Sequence, residues 1–249
     1  MFSVMKHMVS ENSRIVFHTD CEPSLEKFDE SDGKVNYWRE IRRIAGSRIV
    51  VVKVKVATTA WKRNLKEPIK MSDFYRLLLL IKFGGIYTDA DLIFIKSHQE
   101  FYKNPIANTP SIAIESSCSL ANGFMITKSN SKILLRWLLE YKFFDNFHMG
   151  TFSVMKIWAL WRAYREEINA VQAKFVRPNW REIRMLAEFF NWKLSFNVHL
   201  SLRYLPPHLG MKTEEEKKNF MTEIHQIDCM ENSLGEMLRE TIYWSDEIC

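Results

Sequence analysis

Two acidic side chains at close spacing lie near the middle of the chain, directly after an apolar stretch. Asp89 and Asp91 are separated by one residue and follow the sequence Ile-Tyr-Thr at 86–88. In an extended backbone, residues two apart point to the same face. Two like charges at that distance are costly unless a positive charge lies between them, and a divalent cation held by oxygen ligands is the usual solution. Mn²⁺ and Mg²⁺ bind both carboxylates and phosphates, so the spacing indicates transfer from a phosphate-activated donor. A solvated turn after an edge strand is the alternative.

A second charged pair lies upstream of these aspartates, in a segment with helical periodicity. Asp73 and Arg76 are three residues apart, so they project from one side of a helix. Charge-assisted hydrogen bonds from such a pair suit the recognition of hydroxyl groups. An ordinary surface ion pair is the alternative. We expect Ser72 to cap the start of this helix, with Asp73 in its first turn.

The elements that must position these side chains are a helix, a double-glycine turn and a short strand. Leucine and isoleucine residues between 77 and 81 supply the apolar face of the helix, and Gly84 suits its C-terminal cap. Further strands are predicted at 14–17, 48–56, 111–114 and 123–127, and helices at 2–8, 37–44, 129–141, 152–169, 180–190 and 214–239. This alternation predicts an α/β fold with a mostly parallel central sheet flanked by helices. Ligands of such sheets bind at the carboxyl ends of strands, where Asp89 and Asp91 fall.

The segment 72–97, SDFYRLLLLIKFGGIYTDADLIFIKS, resembles the signature of glycosyltransferases that carry a DXD sugar-binding motif. It contains a Ser-Asp pair, an arginine three residues after the aspartate, Gly-Gly-Ile-Tyr and Asp-X-Asp, all at the family's spacing. The group includes alpha-1,4-galactosyl- and alpha-1,4-N-acetylglucosaminyltransferases, yeast mannosyltransferases and, distantly, clostridial glucosylating toxins. Weaker similarities at 14–21, 121–127, 197–203 and 233–242 extend the resemblance along the chain.

The resemblance implies a GT-A-like nucleotide-sugar-binding domain, with residues 1–249 as one domain and the DXD core at 70–97. It implies a metal-dependent, retaining glycosyltransferase that moves a sugar from a UDP-sugar to a glycan, glycolipid or glycoprotein acceptor. The implied cofactor is Mn²⁺ or Mg²⁺. We expect the first nucleotide-binding strand of such domains to be missing from this chain. The alternative function is therefore a truncated, catalytically inactive relative.

The same resemblance implies a role for each charged residue of the core. Asp89 is expected to touch the ribose or the sugar, and Asp91 to bind the metal directly. Asp73 and Arg76 are expected to hold the donor sugar hydroxyls, and Arg76 also to stabilise the departing diphosphate. His199 is the candidate third metal ligand, with a structural histidine as the alternative.

Several further residues are candidates with a structural alternative. Tyr87 is a candidate substrate contact, and core packing is its alternative role. Asn122 and Glu115 are expected to line the acceptor site or to form hydrogen bonds in the core. His18 and Asp20 follow a predicted strand and are expected either to approach the nucleotide or to cap a turn.

Composition sets limits on the remaining function classes. A chain of 249 residues, 47% hydrophobic and 26% charged, suits one globular domain. The net charge of +5 is spread out without an aromatic-interleaved basic stripe, so nucleic-acid binding has little support. No apolar run approaches the ~20 residues of a membrane span. The resemblance implies the Golgi lumen, the alternative is the cytoplasm, and the four cysteines leave the disulfide state open.

A third function class shares the Asp-X-Asp spacing. Phosphohydrolases with an aspartate nucleophile also place this motif after a strand, but near the start of the chain and with a threonine two residues beyond the second aspartate. Here that position is Ile93 and the motif lies mid-chain. The motif therefore favours the transferase over the phosphohydrolase.

Overall fold

The computed structural model describes residues 12–20, 37–97, 109–116, 118–145, 150–171 and 196–199. In these residues the strands are β1 Ile15–Thr19, β2 Ile49–Lys53, β3 Thr59–Ala60, β4 Arg63–Asn64, β5 Gly85–Thr88, β6 Leu92–Phe94, β7 Ser111–Ser116, β8 Ser119–Thr127, β9 Asn169–Val171 and β10 Asn197–His199. The α-helices are α1 Tyr37–Ala45, α2 Pro68–Phe83, α3 Lys132–Glu140 and α4 Val154–Ala163. Short 3₁₀ turns occupy Gly46–Arg48, Tyr141–Phe143 and Arg165–Glu167.

Four strands form the largest described sheet, in the order β5, β8, β7, β9. Both β5 and β7 run antiparallel to β8, whereas β9 runs parallel to β7. A separate parallel pair joins β1 to β2, and β6 pairs antiparallel with β10. The α/β class is confirmed, but the expectation of a mostly parallel sheet is wrong for the described strands. The connection from Ser116 to Ser119 is too short for a parallel crossover, so β7 and β8 must be antiparallel.

Strand β8 lies at the centre of the described structure and is buried along its whole length. Met125 packs in the main core with residues of α2, α3 and α4, among them Leu77, Trp137 and Ile157. Its neighbour Phe124 packs in a second core cluster together with residues of β6. Adjacent strand residues point to opposite faces, so this sheet is covered on both sides.

Helix α2 begins earlier than the sequence indicates. Pro68 occupies its first turn, where a missing N–H is not needed and the fixed φ suits a helix. Ser72 therefore lies inside the helix and is not its N-cap, and Asp73 lies in the second turn; both expectations are corrected. The hydroxyl of Ser72 is instead 3.2 Å from that of Tyr87 on β5.

Most of the other predicted elements are found with shifted bounds. The strands near 14–17, 111–114 and 123–127 and the helix near 37–44 are confirmed. The helix predicted over 152–169 ends at Ala163, and β9 begins at Asn169. The helices predicted at 2–8, 180–190 and 214–239 lie outside the described residues. Among the helices that are described, none has the length and apolar character to cross a bilayer.

Candidate functional site

A glycine turn fixes the strand of the DXD motif against the end of α2. Gly84 donates its N–H to Leu80 at 2.9 Å and has a φ of +66°. A Cβ at this position would lie 2.5 Å from the backbone nitrogen of Ser129, so both the conformation and the space require glycine. Residue Asn130 donates its backbone N–H to Ile81 at 2.7 Å and caps the helix further. The first residue of β5 is thereby held next to the last turn of α2.

Arg76 is the centre of a buried cluster that joins three parts of the fold. Its Nη2 lies 2.9 Å from Asp73 Oδ1 in the same helix and 3.3 Å from Asp89 Oδ1 in the loop after β5. Its Nη1 donates to the carbonyl of Asn122 on β8 at 2.7 Å. Only 3% of the Arg76 side chain is exposed. The predicted pair of Asp73 and Arg76 is thus a buried junction, and the surface ion pair given as its alternative is wrong.

The carboxylate of Asp89 is held from several sides. Tyr87 donates its hydroxyl to Asp89 Oδ1 at 2.7 Å, and the Arg76 guanidinium carbon lies 4.5 Å from the centre of the Tyr87 ring. The backbone N–H of Asp89 donates to Gly123 at 2.8 Å and so continues the pairing of β5 with β8. Tyr87 also packs against the main core, as its alternative role requires, and its contact with a substrate stays a prediction.

Asn122 links the cluster to the residues that precede α4. Its side-chain nitrogen donates to Asp73 Oδ1 at 2.8 Å and to Ser153 Oγ at 2.5 Å. The side chains of Asp73 and Asn122 are both buried, and the whole network is closed by hydrogen bonds among α2, β8 and Ser153. Such closed networks fix side-chain geometry more sharply than isolated bonds do.

Burial is the largest single influence on the pKa of each of Asp73, Arg76 and Tyr87, and it sets the direction of the shift for Asp73 and Tyr87. Burial raises the pKa of Asp73, although Arg76 and the hydrogen bonds from Ser153 and Asn122 oppose it. Burial alone lowers the pKa of Arg76, but its neighbours Tyr87, Asp89 and Asp73 outweigh it and the net pKa is raised. Burial also raises the pKa of the Tyr87 hydroxyl, so this group remains a proton donor to Asp89 near neutral pH.

Asp91 occupies a different environment from Asp89. The chain turns at Ala90 and Asp91, and the N–H of Leu92 lies 3.4 Å from the carbonyl oxygen of Asp89. The two aspartates are therefore not in one extended strand, and the same-face expectation based on that geometry is corrected. The Asp91 side chain is exposed, whereas that of Asp89 is 25% exposed. The two carboxylates of the motif therefore differ in exposure, although only one residue separates them.

The register of β10 brings the backbone of His199 to this turn. His199 pairs with Leu92, the residue that follows Asp91. The side chain of His199 lies outside the described part of the structure, so its role as a third metal ligand stays a prediction. Within the residues whose side chains are described, no three His, Cys, Asp or Glu groups cluster as ligands. Asp91 and the exposed part of Asp89 nevertheless fit a cation whose remaining ligands come from a phosphate.

The remaining sequence candidates lie in other surroundings. Glu115 is half-buried on β7. His18 contacts Tyr75 edge-on at 5.9 Å between ring centroids, and burial lowers its pKa. Asp20 follows β1 and is exposed.

The sequence did not predict that four further residues would lie in or against this cluster. Ser72 and Ser153 bond to the cluster, Gly123 lies against Asp89, and Tyr141 is buried with its pKa raised by burial and then by the nearby charge of Asp73. The Ser-Asp pair of the motif is a signal for Ser72, and adjacency to Asn122 is one for Gly123. No pattern around Ser153 or Tyr141 distinguishes them from ordinary core residues.

Comparisons with known proteins find similarity to glycosyltransferases over part of the chain. Residues 9–112 match the family described as the glycosyltransferase sugar-binding region containing DXD motif. Over 151 residues the chain is 28% identical to glucan organizing enzyme 1 of Cryptococcus neoformans var. grubii serotype A, which covers 58% of this chain. The chain spans 40% of the length of that curated relative.

The chain is also similar to the solved structure of the PaToxG glycosyltransferase. The similar region covers 66% of this chain and 62% of that chain, at 16% identity and a TM-score of 0.41. The family match includes four of the charged residues described above, Asp73, Arg76, Asp89 and Asp91. Residues 9–112 are therefore the part of this chain that is similar to glycosyltransferase sugar-binding regions containing a DXD motif.

Proposed function

We propose that this chain is the donor-binding part of a metal-dependent, retaining glycosyltransferase that uses a UDP-sugar. The observation that carries the proposal is the Arg76 cluster, in which one buried guanidinium contacts Asp73, Asp89 and the carbonyl of Asn122. A buried ion pair network is weak evidence for stability, because removing charges from water is costly. Such a network at the DXD motif is better explained by a need to hold carboxylates in place for a ligand.

Arg76 acts in this proposal through the carboxylates that it holds. Its side chain is 3% exposed, and three of its nitrogens face protein acceptors. Asp73 and Asp89 are the groups that it presents, and a fixed carboxylate is a strong acceptor for sugar hydroxyls. The ribose or sugar contact expected for Asp89 is consistent with its remaining 25% exposure.

The charge balance of the site supports a cation next to Asp91. Arg76 contributes one positive charge, while ionised Asp73 and Asp89, which contact it, contribute two negative ones. Because like charges at short range are costly, an additional cation is favoured. A bound Mn²⁺ or Mg²⁺ would neutralise the diphosphate of the donor and of the product. Asp91 would hold this cation, with Asp89 and His199 as the further candidates.

The reaction breaks the bond between the anomeric carbon and the diphosphate oxygen, and UDP leaves with the electron pair. The acceptor hydroxyl oxygen forms the new bond on the same face of the sugar, which retains the configuration. Its proton passes to the departing diphosphate oxygen. Asp73 and Asp89 hold the sugar in position for this step, and positioning alone supplies a large share of catalysis. The acceptor is a glycan, glycolipid or glycoprotein, and the Golgi lumen is the compartment that the resemblance implies.

The test is release of UDP from purified protein supplied with UDP-galactose, UDP-N-acetylglucosamine or UDP-glucose, in Mn²⁺ and in chelator. We expect metal-dependent release from one donor, and a loss of on the order of 100-fold in Asp89→Asn, since a charge-assisted contact contributes ~1.5–3 kcal/mol. The matched control is Glu166→Gln, which removes one exposed carboxylate far along the sequence from the motif.

Two results would contradict the proposal. Equal turnover by Asp89→Asn and Glu166→Gln would show that the cluster does not act on the donor. A folded protein that neither binds nor hydrolyses any of the three donors would favour the inactive relative instead.

A further inference from the structure

A surface with both basic and apolar side chains lies beside the N-terminal half of α2, and the Arg76 cluster makes no use of it. The β3–β4 hairpin carries Trp61 and Lys62 in its two-residue turn, followed by Arg63. The end of α3 and the 3₁₀ turn after it carry Leu139, Lys142 and Phe143. Lys62, Arg63 and Lys142 are exposed, and the exposed fractions of the apolar members are 41% for Trp61, 40% for Leu139 and 70% for Phe143. We call these six residues the basic–apolar face.

Direct contacts join the hairpin to the end of α3. Arg63 Nε donates to the carbonyl of Lys142 at 3.3 Å, and the Lys142 ammonium lies 5.9 Å from the centre of the Trp61 ring. The inner edge of Trp61 packs on Phe74 of α2 at 5.9 Å between ring centroids. The two segments therefore form one surface that is anchored to the core through Trp61.

The two residues of the hairpin turn have backbone angles that residues other than glycine disfavour. Trp61 has a φ of +45° and Lys62 a φ of +69°. A two-residue turn of this kind favours asparagine and glycine, because bulky side chains disfavour positive φ. Backbone energetics therefore do not account for tryptophan and lysine at the tip. Observed strain of this kind points to a functional requirement for the side chains themselves.

The charge of the face is of one sign. Glu140 is the one acidic residue within 59–64 and 132–143, and it pairs with Lys156 at 3.0 Å. On α3, Leu135 precedes Leu139 and Phe143 at intervals of four, so the apolar stripe continues along the helix and Leu135 is 46% exposed. Lys132 is exposed on the same helix. Aromatic and aliphatic side chains surrounded by basic ones are typical of segments that lie in the headgroup region of a membrane.

From these observations we propose that the basic–apolar face docks on an anionic phospholipid surface. Trp61 and Phe143 enter the headgroup region, where an indole ring is favoured. Lys62, Arg63 and Lys142 contact the lipid phosphates and carboxylates. The inference does not depend on the proposed transferase activity, because no residue of the face belongs to the Arg76 cluster.

The test is co-sedimentation of the whole chain with vesicles of phosphatidylcholine, with or without phosphatidylserine. We expect binding to the vesicles that contain phosphatidylserine, and weaker binding at high salt because surface charge is screened. Lys62→Gln with Lys142→Gln is expected to lower the partition coefficient about 25-fold, since each basic side chain near such a surface contributes about fivefold. Phe143→Ser, at the most exposed of these apolar positions, tests the apolar part without touching Trp61.

The chain offers a matched control at the opposite end of α2. Lys82 and Phe83 form a similar pair, with the ammonium 5.1 Å from the ring centre and Phe83 62% exposed. Phe83 lies about 14 Å along the helix axis from Phe74, the residue that supports Trp61. Lys82→Gln with Phe83→Ser is expected to change vesicle binding by less than a third as much as the corresponding pair Lys142→Gln with Phe143→Ser.

Three results would overturn the inference. The first is equal loss of binding in the two double variants, which would indicate a general effect of charge. The second is equal binding to vesicles with and without phosphatidylserine. The third is a dimer in sedimentation velocity that Phe143→Ser dissociates, because the face would then be covered by a second copy of the chain.

Discussion

Gly123 lies against the carboxylate of Asp89. A Cβ built at residue 123 would be 2.7 Å from Asp89 Oδ2, and the backbone carbonyl of Gly123 accepts the N–H of Asp89 at 2.8 Å. The other carboxylate oxygen, Oδ1, is held by Tyr87 and Arg76. The absence of a side chain at residue 123 is thus a condition for the position of the first aspartate of the DXD motif.

Replacing Gly123 with alanine is expected to impair donor use more than folding. The new methyl group must push Asp89 Oδ2 away, and because Oδ1 is already fixed, the carboxylate has to leave one of its partners. Overpacking of this kind costs ~1–3 kcal/mol of stability. Metal-dependent UDP release is expected to fall at least tenfold while the protein stays folded, as measured by activity and urea unfolding in parallel.

A second glycine provides the comparison for this experiment. Gly84→Ala introduces a Cβ 2.5 Å from the backbone of Ser129 and at a φ of +66°, so it should lower the unfolding free energy more than Gly123→Ala does. Activity of the folded fraction should be better preserved in Gly84→Ala. The opposite order of the two effects would mean that the contact between Gly123 and Asp89 does not matter for donor binding.

Tyr87→Phe tests the hydroxyl that bonds to Asp89. The ring stays in the core, while the 2.7 Å hydrogen bond to the carboxylate is lost. Hydrogen bonds to charged groups contribute ~1.5–3 kcal/mol, so kcat/KM for donor hydrolysis is expected to drop by about 10- to 100-fold. Tyr164→Phe is the control, because that tyrosine is exposed and stacks on Arg136 far along the sequence from the motif. Equal activity of both variants with the unchanged protein would contradict the role assigned to Tyr87.

The sequence predicted the participants of the cluster better than its geometry. Regular spacing within one helix is enough to place Asp73 beside Arg76. The contact of Arg76 with Asn122 joins residues 46 positions apart and depends on the pairing of β5 with β8, which no local pattern encodes. The start of α2 was misplaced because Ser72 is a common N-cap, whereas Pro68 decides the boundary.

The turn at the DXD motif could not be predicted from local sequence patterns either. An alternating pattern after an apolar run predicts an extended backbone, but Asp89 already bonds to Gly123 at the end of the sheet. The chain then turns toward β6, which pairs with β10 more than a hundred residues later in the sequence. Tertiary pairing therefore overrides the local preference at this position.

The buried carboxyl of Asp73 predicts a specific dependence of stability on pH. Burial raises its folded-state pKa above the ordinary value of 3.8, so the folded protein binds the proton more tightly than the unfolded chain does. Stability from this group is fully present below 3.8 and is lost as the pH rises through the raised pKa. The unfolding free energy of the unchanged protein, minus that of Asp73→Asn, should therefore decrease with pH at up to about 1.4 kcal/mol per unit.

Denaturant unfolding across mildly acidic pH measures this difference directly. Subtracting the Asp73→Asn curve removes the contributions of carboxylates that both proteins share. The difference in unfolding free energy between the unchanged protein and Glu166→Gln should depend less on pH, because the Glu166 side chain is exposed. If the unfolding free energy of the unchanged protein, minus that of Asp73→Asn, instead increased with pH, the folded-state pKa of Asp73 would be lowered. Arg76 and the two hydrogen bonds would then outweigh burial in their effect on this pKa.

Asp91→Asn separates metal binding from the integrity of the cluster. Asp91 is exposed and lies in a turn, whereas the Arg76 network runs through Asp73, Asp89 and Asn122. We expect Asp91→Asn to keep the unfolding free energy within about 0.5 kcal/mol, as surface substitutions usually do. Loss of one carboxylate ligand should weaken Mn²⁺ binding at least tenfold in calorimetry.

Arg76→Met is the counterpart that should reverse this pattern. It leaves two partly buried carboxylates without their guanidinium, and breaking a buried pair costs ~3–5 kcal/mol. Stability should therefore fall sharply in Arg76→Met and stay nearly constant in Asp91→Asn. The concentration of Mn²⁺ needed for UDP release should rise in Asp91→Asn and remain unchanged in Glu166→Gln. If Asp91→Asn bound Mn²⁺ as tightly as Glu166→Gln, the cation would have to be held without Asp91, contrary to the role proposed for this residue.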